Sequence, residues 1–166
     1  MAVWQVEFAM VPRRVLAAKP RAAQPPVMDT DWWSSERLPA GYAQHLAAVA
    51  VPGSSWSAEL RTWGEEDGNR VDVWFESGRP ARMSARVDVR RLDARFGAML
   101  LQFARVANAV LVRRDGLVVE PNVGAFGAAL RSSEAWRYAT DPAAFFASYA
   151  EPDDDDEDDP SARITR

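Results

Sequence analysis

The sequence predicts an α+β fold: a mainly antiparallel sheet of about six strands, in the order β-α-β-β-β-α-β-β-α-α, with the helices packed on one face. Two observations lead there. Between Ser54 and Arg91, apolar and polar residues alternate through three consecutive runs joined by tight turns. From Asp93 to Ala107 the apolar residues recur instead at helical spacing.

Taken in order, Trp4, Val6, Phe8 and Met10 alternate with Val3, Gln5, Glu7 and Ala9, which predicts a first strand closed by Pro12. Residues 12–38 hold Pro20, Pro25 and Pro26 among small and basic residues without periodicity, a long loop that ends near Trp32-Trp33. Pro39 suits a first helical turn, and Tyr42, Leu46 and Val49 keep helical spacing until Pro52-Gly53. The first strand of the meander sets Trp56, Ala58, Leu60 and Thr62 against Ser57, Glu59, Arg61 and Trp63. The second sets Val71, Val73 and Phe75 against Asp72, Trp74 and Glu76, and the third Met83, Ala85, Val87 and Val89 against Ser84, Arg86, Asp88 and Arg90. Asp67-Gly68-Asn69 and Ser77-Gly78 tolerate positive φ and supply the turns.

Asp93 is a candidate N-cap for a helix whose apolar side is Phe96, Met99, Leu100, Phe103, Val106 and Ala107. Ala109–Val112 and Leu117–Val119 read as a short strand pair turned by Arg114-Asp115-Gly116. Pro121-Asn122 introduces a short helix through Phe126 and Leu130, and Asp141-Pro142 opens a last one bearing Phe145, Phe146 and Tyr149. Residues 1–150 are therefore expected to form one domain, and residues 151–166, opening with EPDDDDEDDP, a disordered acidic tail.

Composition excludes several chemistries. Cysteine is absent, so disulfides, thiolate metal sites and thiol nucleophiles are ruled out, and His45 as sole histidine rules out multi-histidine metal centres. No motif for a cofactor, a catalytic metal or a catalytic triad is present, so no cofactor, metal or catalytic residue is assigned. No apolar run approaches the length of a membrane span, so no membrane association is expected and the cytoplasm is the expected location. Eight of the 24 acids lie between Glu151 and Asp159 and two of the 20 bases are Arg163 and Arg166, so residues 1–150 carry 18 bases against 16 acids, a net of +2. That balance gives weak long-range attraction for phosphates and argues against nucleic acid as the partner.

If Val71, Val73, Phe75, Met83, Val87 and Val89 pack beneath the long helix, the opposite parity presents Trp63 and Trp74 among Asp72, Glu76, Arg86, Asp88 and Arg90. Aromatics ringed by mixed charge are the composition of protein-binding patches, and these seven residues are the candidate protein-binding site. The other account of the same face is that the 13–38 loop, with Trp32 and Trp33, folds back over it within the chain.

The runs WGEEDGNRVDV (Trp63–Val73), RVDVR (Arg86–Arg90) and SEAWRYATDP (Ser133–Pro142) resemble small uncharacterised bacterial α+β proteins, some of which serve as immunity proteins beside secreted or contact-delivered toxins. The resemblance spans residues 54–142 and transfers no functional position. It implies a non-enzymatic inhibitor that binds a toxin and occludes it sterically. The alternative expectation is a small-ligand-binding protein or enzyme with a pocket between the 13–38 loop and the sheet, and a third is a homodimer formed through the tryptophan-bearing face.

Overall fold

The computed structural model describes residues 2–18 and 27–149; the acidic tail and part of the 12–38 loop lie outside the described residues. Strands β1 (Gln5–Pro12), β2 (Leu60–Gly64), β3 (Arg70–Glu76), β4 (Arg79–Asp88), β5 (Ala109–Arg113) and β6 (Val118–Val119) form one antiparallel sheet in the order β2-β3-β4-β1-β5-β6. The first strand of the sequence is thus central, with the meander on one flank and the β5–β6 hairpin on the other. The described helices are α1 (Arg13–Ala18), α2 (Tyr42–Ala47), α3 (Ala94–Val106), α4 (Val123–Arg131), α5 (Glu134–Thr140) and α6 (Pro142–Ala147), with a 3-10 turn at Val27–Asp29. The fold is α+β, as the sequence predicts.

Local chemistry sets most boundaries. Ser77 and Gly78 both take positive φ (49° and 76°), as a two-residue type I′ hairpin requires between the paired Glu76 and Arg79. Asp93 caps α3 by accepting from the N–H groups of Arg95 and Phe96, Asn122 caps α4 through Ala125, and Asp141 caps α6 with Pro142 at its first turn. Three expectations are corrected. The 12–38 stretch is not all loop, since α1 and the 3-10 turn lie in it. Ser133 caps an additional helix, α5, by accepting from the N–H of Trp136. Trp56 precedes the first meander strand, which starts at Leu60.

Cross-strand partners share a face, so register decides what is inside. Trp63 pairs with Val71, Val71 with Ala85, and Ala85 with Phe8. The Phe8 ring meets Phe126 of α4 at 5.5 Å, and Trp63 meets Tyr42 of α2 at 6.0 Å. This inner face is therefore the helix-covered one, and α3 packs there with Phe96, Met99, Leu100 and Phe103 buried. Trp63 lies inside it, not on the opposite face where simple alternation places it. The cause is the five-residue connection, residues 65–69: Gly64 pairs with Arg70, which sets odd positions of β2 against odd positions of β3.

That turn depends on Gly64. Its φ is +100°, and a Cβ there would sit 2.1 Å from the carbonyl oxygen of Asn69. Gly64→Ala is expected to cost about 2 kcal/mol or more, read as a lowered urea midpoint with an unchanged slope.

The opposite, outer face is not bare. β1 pairs with β4 only from Gln5 to Ala9, and where that ladder ends Trp33 bridges the two strands. Its backbone N–H donates to the Ala81 carbonyl at 2.8 Å, and its indole N–H donates to the Met10 carbonyl at 2.8 Å. Trp32 is also buried, its indole donating to the Val27 carbonyl at 2.8 Å. Residues 27–33 thus lie against β1 and β4 and cover part of the outer face, so α2, α3 and α4 and this segment take opposite sides of the sheet.

Candidate interaction face and cleft

On the outer face of the meander, Leu60 pairs with Trp74 and Trp74 with Arg82, while Thr62 pairs with Asp72 and Asp72 with Ser84. The Arg82 guanidinium lies 5.0 Å from the Trp74 ring centroid. Trp56 leans on the same indole, edge to face, at 5.5 Å and 64°. It stands at the tip of the loop that leads into β2. Gly53 N–H donates to the Thr62 carbonyl and Gly64 N–H to the Val51 carbonyl, so residues 51–53 cover the edge of β2 and the intervening loop projects. The Ser55 hydroxyl closes that loop, donating to the Ser57 carbonyl and accepting from the Ser57 N–H.

The outcome is an indole 81 % exposed. A tryptophan side chain offers roughly 200 Å², worth roughly 5 kcal/mol at about 25 cal/mol per Å², and at Trp56 folding leaves most of that unused.

Beside Trp74 and Arg82, the 27–32 segment and the sheet enclose a cleft of about 220 Å³. Its polar walls come from Glu7, Asp72, Ser84 and Arg114, with Trp32 and Met28 on the segment's side. Most of its charges are matched. Asp72 accepts from Arg70 Nε through one oxygen and from an Arg86 Nη through the other, each at 2.7 Å, and all three side chains are no more than 13 % exposed. Glu7 accepts from Arg114 at 2.6 Å. Arg82 is the exception: its nearest carboxylate, Asp29, is 3.9 Å away, beyond hydrogen-bond reach. The Nε atoms of Arg82 and Arg86 are buried without an acceptor.

Of the seven residues singled out from sequence, Asp72, Trp74 and Arg86 do lie together on the outer face, and Glu76 is exposed near the β3–β4 hairpin. Trp63 does not, being 5 % exposed on the helix side. Asp72 and Asp88 are themselves buried, so neither is a free surface carboxylate. Asp88 and Arg90 form a separate pair: Arg90 donates to both Asp88 oxygens, spreads 3.9 Å above the Trp4 ring, and reaches the Asp67 carbonyl. The residues the sequence did not single out are Trp56, Arg82, Glu7 and Arg114. Arg82 was readable in principle, since it continues the parity of Ser84 and Arg86. His45 packs its ring against Phe103 at 5.7 Å. Among the described residues no group of three or more His, Asp or Glu side chains could hold a metal ion, and no helix is long and apolar enough to cross a membrane.

In comparisons with protein families, with curated proteins and with solved structures, nothing matches this chain. The class of protein is therefore set by geometry: an α+β sheet protein with one face under helices and the other carrying an exposed aromatic–arginine patch beside a polar cleft.

Two expectations follow for the buried charges. Asp72→Ala strands two guanidiniums and should cost about 3–5 kcal/mol in chemical denaturation. Burial pushes the Asp88 carboxyl up, but hydrogen bonds from the Arg90 guanidinium and backbone N–H outweigh it and hold it below the usual carboxylate range. A depressed folded value makes the contribution complete above the unfolded value and lost as pH falls through the folded one. The stability gap between wild type and Asp88→Asn should accordingly be widest near neutrality and narrow toward about pH 3, as measured by urea midpoints.

Proposed function

We propose that this is a non-enzymatic protein-binding protein, an immunity-type inhibitor that occludes a bacterial toxin through the patch formed by Trp56, Trp74 and Arg82. The observation that carries the reading is the indole pair: Trp56 is 81 % exposed against the half-buried Trp74. Tryptophan and arginine are enriched at the energetic centres of protein interfaces, and two touching indoles flanked by an arginine have that composition. Glu76 and Arg79, paired across the hairpin and both exposed, supply mixed charge near it. The chemistry is steric occlusion, and it needs no cofactor.

A second reading, a small-ligand-binding protein, is favoured by one specific observation. The cleft lies between the 27–32 segment and the sheet, within the region where a ligand pocket is expected from the sequence.

The test of the first reading pairs this protein with the product of a toxin-like gene neighbouring its own. The two should co-purify as a stable complex, and co-expression should restore growth. Trp56→Ser should leave the thermal midpoint unchanged and cost about 2 kcal/mol of binding, roughly 30-fold in Kd. Failure of the wild type to bind or neutralise that product removes the reading.

A further inference from the structure

We propose that the aromatic face of α5 and α6, with Phe146 and Tyr149 at its exposed centre, is a docking surface for an arginine- or lysine-rich segment of another protein. The surface lies outside the Trp56 patch and the cleft and uses none of their residues.

The inference begins with a helix that hides nothing. α6 buries none of its residues and packs chiefly against α5, although Phe145 and Phe146 lie in it and Tyr149 directly follows its last turn. Phe146 is 60 % exposed and Tyr149 57 %. A helix of six residues has little stability of its own and forms where tertiary packing holds an apolar side. Here Tyr138 of α5 supplies that packing, edge-on to Phe145 and Phe146 at 5.5 and 5.8 Å. Phe145 meets Tyr149 at 5.1 Å, and Trp4 stacks on Tyr138 at 6.5 Å. Five rings thus run together across the surface, and the outermost two are the least covered. Tyrosine and phenylalanine are enriched in the cores of protein interfaces.

Charge selects the occupant. Between Arg137 and Arg163 the sequence holds nine acids and no base, and eight of those acids, Glu151–Asp159, begin two positions beyond Tyr149. A segment laid along α6 therefore meets a strongly anionic stretch of chain beyond Tyr149, which repels nucleic acid, anionic lipid and acidic peptides and attracts a basic one. The rings themselves take cations. Arg90 lies 3.9 Å above the Trp4 ring and Arg137 6.0 Å from that of Phe145, so guanidiniums already pack on two members of the cluster. An incoming arginine or lysine finds the same negative ring face at Phe146 and Tyr149, and its aliphatic stem covers them.

Fluorescence anisotropy of the full chain at fixed ionic strength, with three labelled synthetic peptides, tests the surface. A peptide of alternating arginine and leucine should bind, one of alternating arginine and serine at least tenfold more weakly, and one of alternating glutamate and leucine not at all. Phe146→Ser combined with Tyr149→Ser should weaken the first peptide at least tenfold, whereas Val123→Ser, at an exposed apolar position of α4, should not. Changing the eight acids of Glu151–Asp159 to their amides should weaken it too and flatten its salt dependence. Ala143→Lys, exposed on α6 one turn before Phe146, adds a repelling charge and removes no ring; it should also weaken binding, which preserves the test if the double variant loosens α6.

Indifference to both the Phe146→Ser, Tyr149→Ser pair and Ala143→Lys leaves the acids acting alone and overturns the proposal. Equal binding of the arginine–serine peptide, binding of the glutamate peptide, tighter association with phosphatidylcholine vesicles or with a second copy of this chain, or no binding at all overturns it as well.

Discussion

The outer half of this structure depends on one residue, Trp33, which joins two strands that no longer pair with each other. This single buried residue, 1 % exposed, gives one N–H to each strand, its indole N–H to Met10 and its backbone N–H to Ala81. Without those donors two interior carbonyls would stand unpaired, at about 1–3 kcal/mol each. The consequence is positional as well as energetic. Because Trp33 is fixed at that point, Trp32 and the 3-10 turn at Val27–Asp29 must run along the sheet, and the cleft is the space left between them and the charged residues of β1, β3 and β4. The bulge at Trp74/Phe75 contributes as well, since it makes Ala81 the extra residue of β4 and presents the carbonyl that Trp33 takes.

What the sequence could reveal depended on how far apart the decisive residues lie. Asp93, Asn122, Asp141 and the Ser77-Gly78 turn act on neighbours one to four positions away, and each does what its chemistry predicts. Ser133 belongs to the same class, and the helix it caps was hidden only because the apolar pattern of α4 runs up to it. Trp63 is different. Its face follows from the number of residues between Gly64 and Arg70, and one residue more or less would turn the whole of β2 over. Trp56 misleads for a related reason: the alternation of β2 continues into Ser55 and Ser57, where serine hydroxyls close a loop instead of extending a strand. At the candidate site, Asp72, Trp74 and Arg86 were legible from strand parity and Trp32 from the loop expected to fold back over this face, whereas Glu7 and Arg114 arrive through pairings across much of the chain.

The charged residues of the outer face divide by their degree of satisfaction. Asp72 and Asp88 look in the sequence like surface carboxylates, but each is buried and gripped by arginine. Such pairs add little net stability over apolar packing, yet losing one partner leaves a buried charge uncompensated; of the two, only Asp72, held by Arg70 of β3 and Arg86 of β4, spans both strands. They also cannot serve a partner without breaking first. Recognition on this face is left to groups outside such buried pairs, namely the part-exposed Arg82 guanidinium and the planes of Trp74 and Trp56.

Those groups tie the proposed patch to the proposed cleft, because Trp74 and Arg82 belong to both. The Arg82 guanidinium lines the cleft and lies 5.0 Å from the Trp74 ring, and Trp56 rests against that same ring at 5.5 Å. Turning Arg82 away would give up a cation–π contact worth about 0.5–1 kcal/mol at an exposed site. Whatever a ligand does to the indole pair, a partner on the indole pair must do in equal measure to the ligand. An energy of that size sets the linkage at roughly two- to fivefold in either affinity, enough to tune binding at the patch and too small to switch it off.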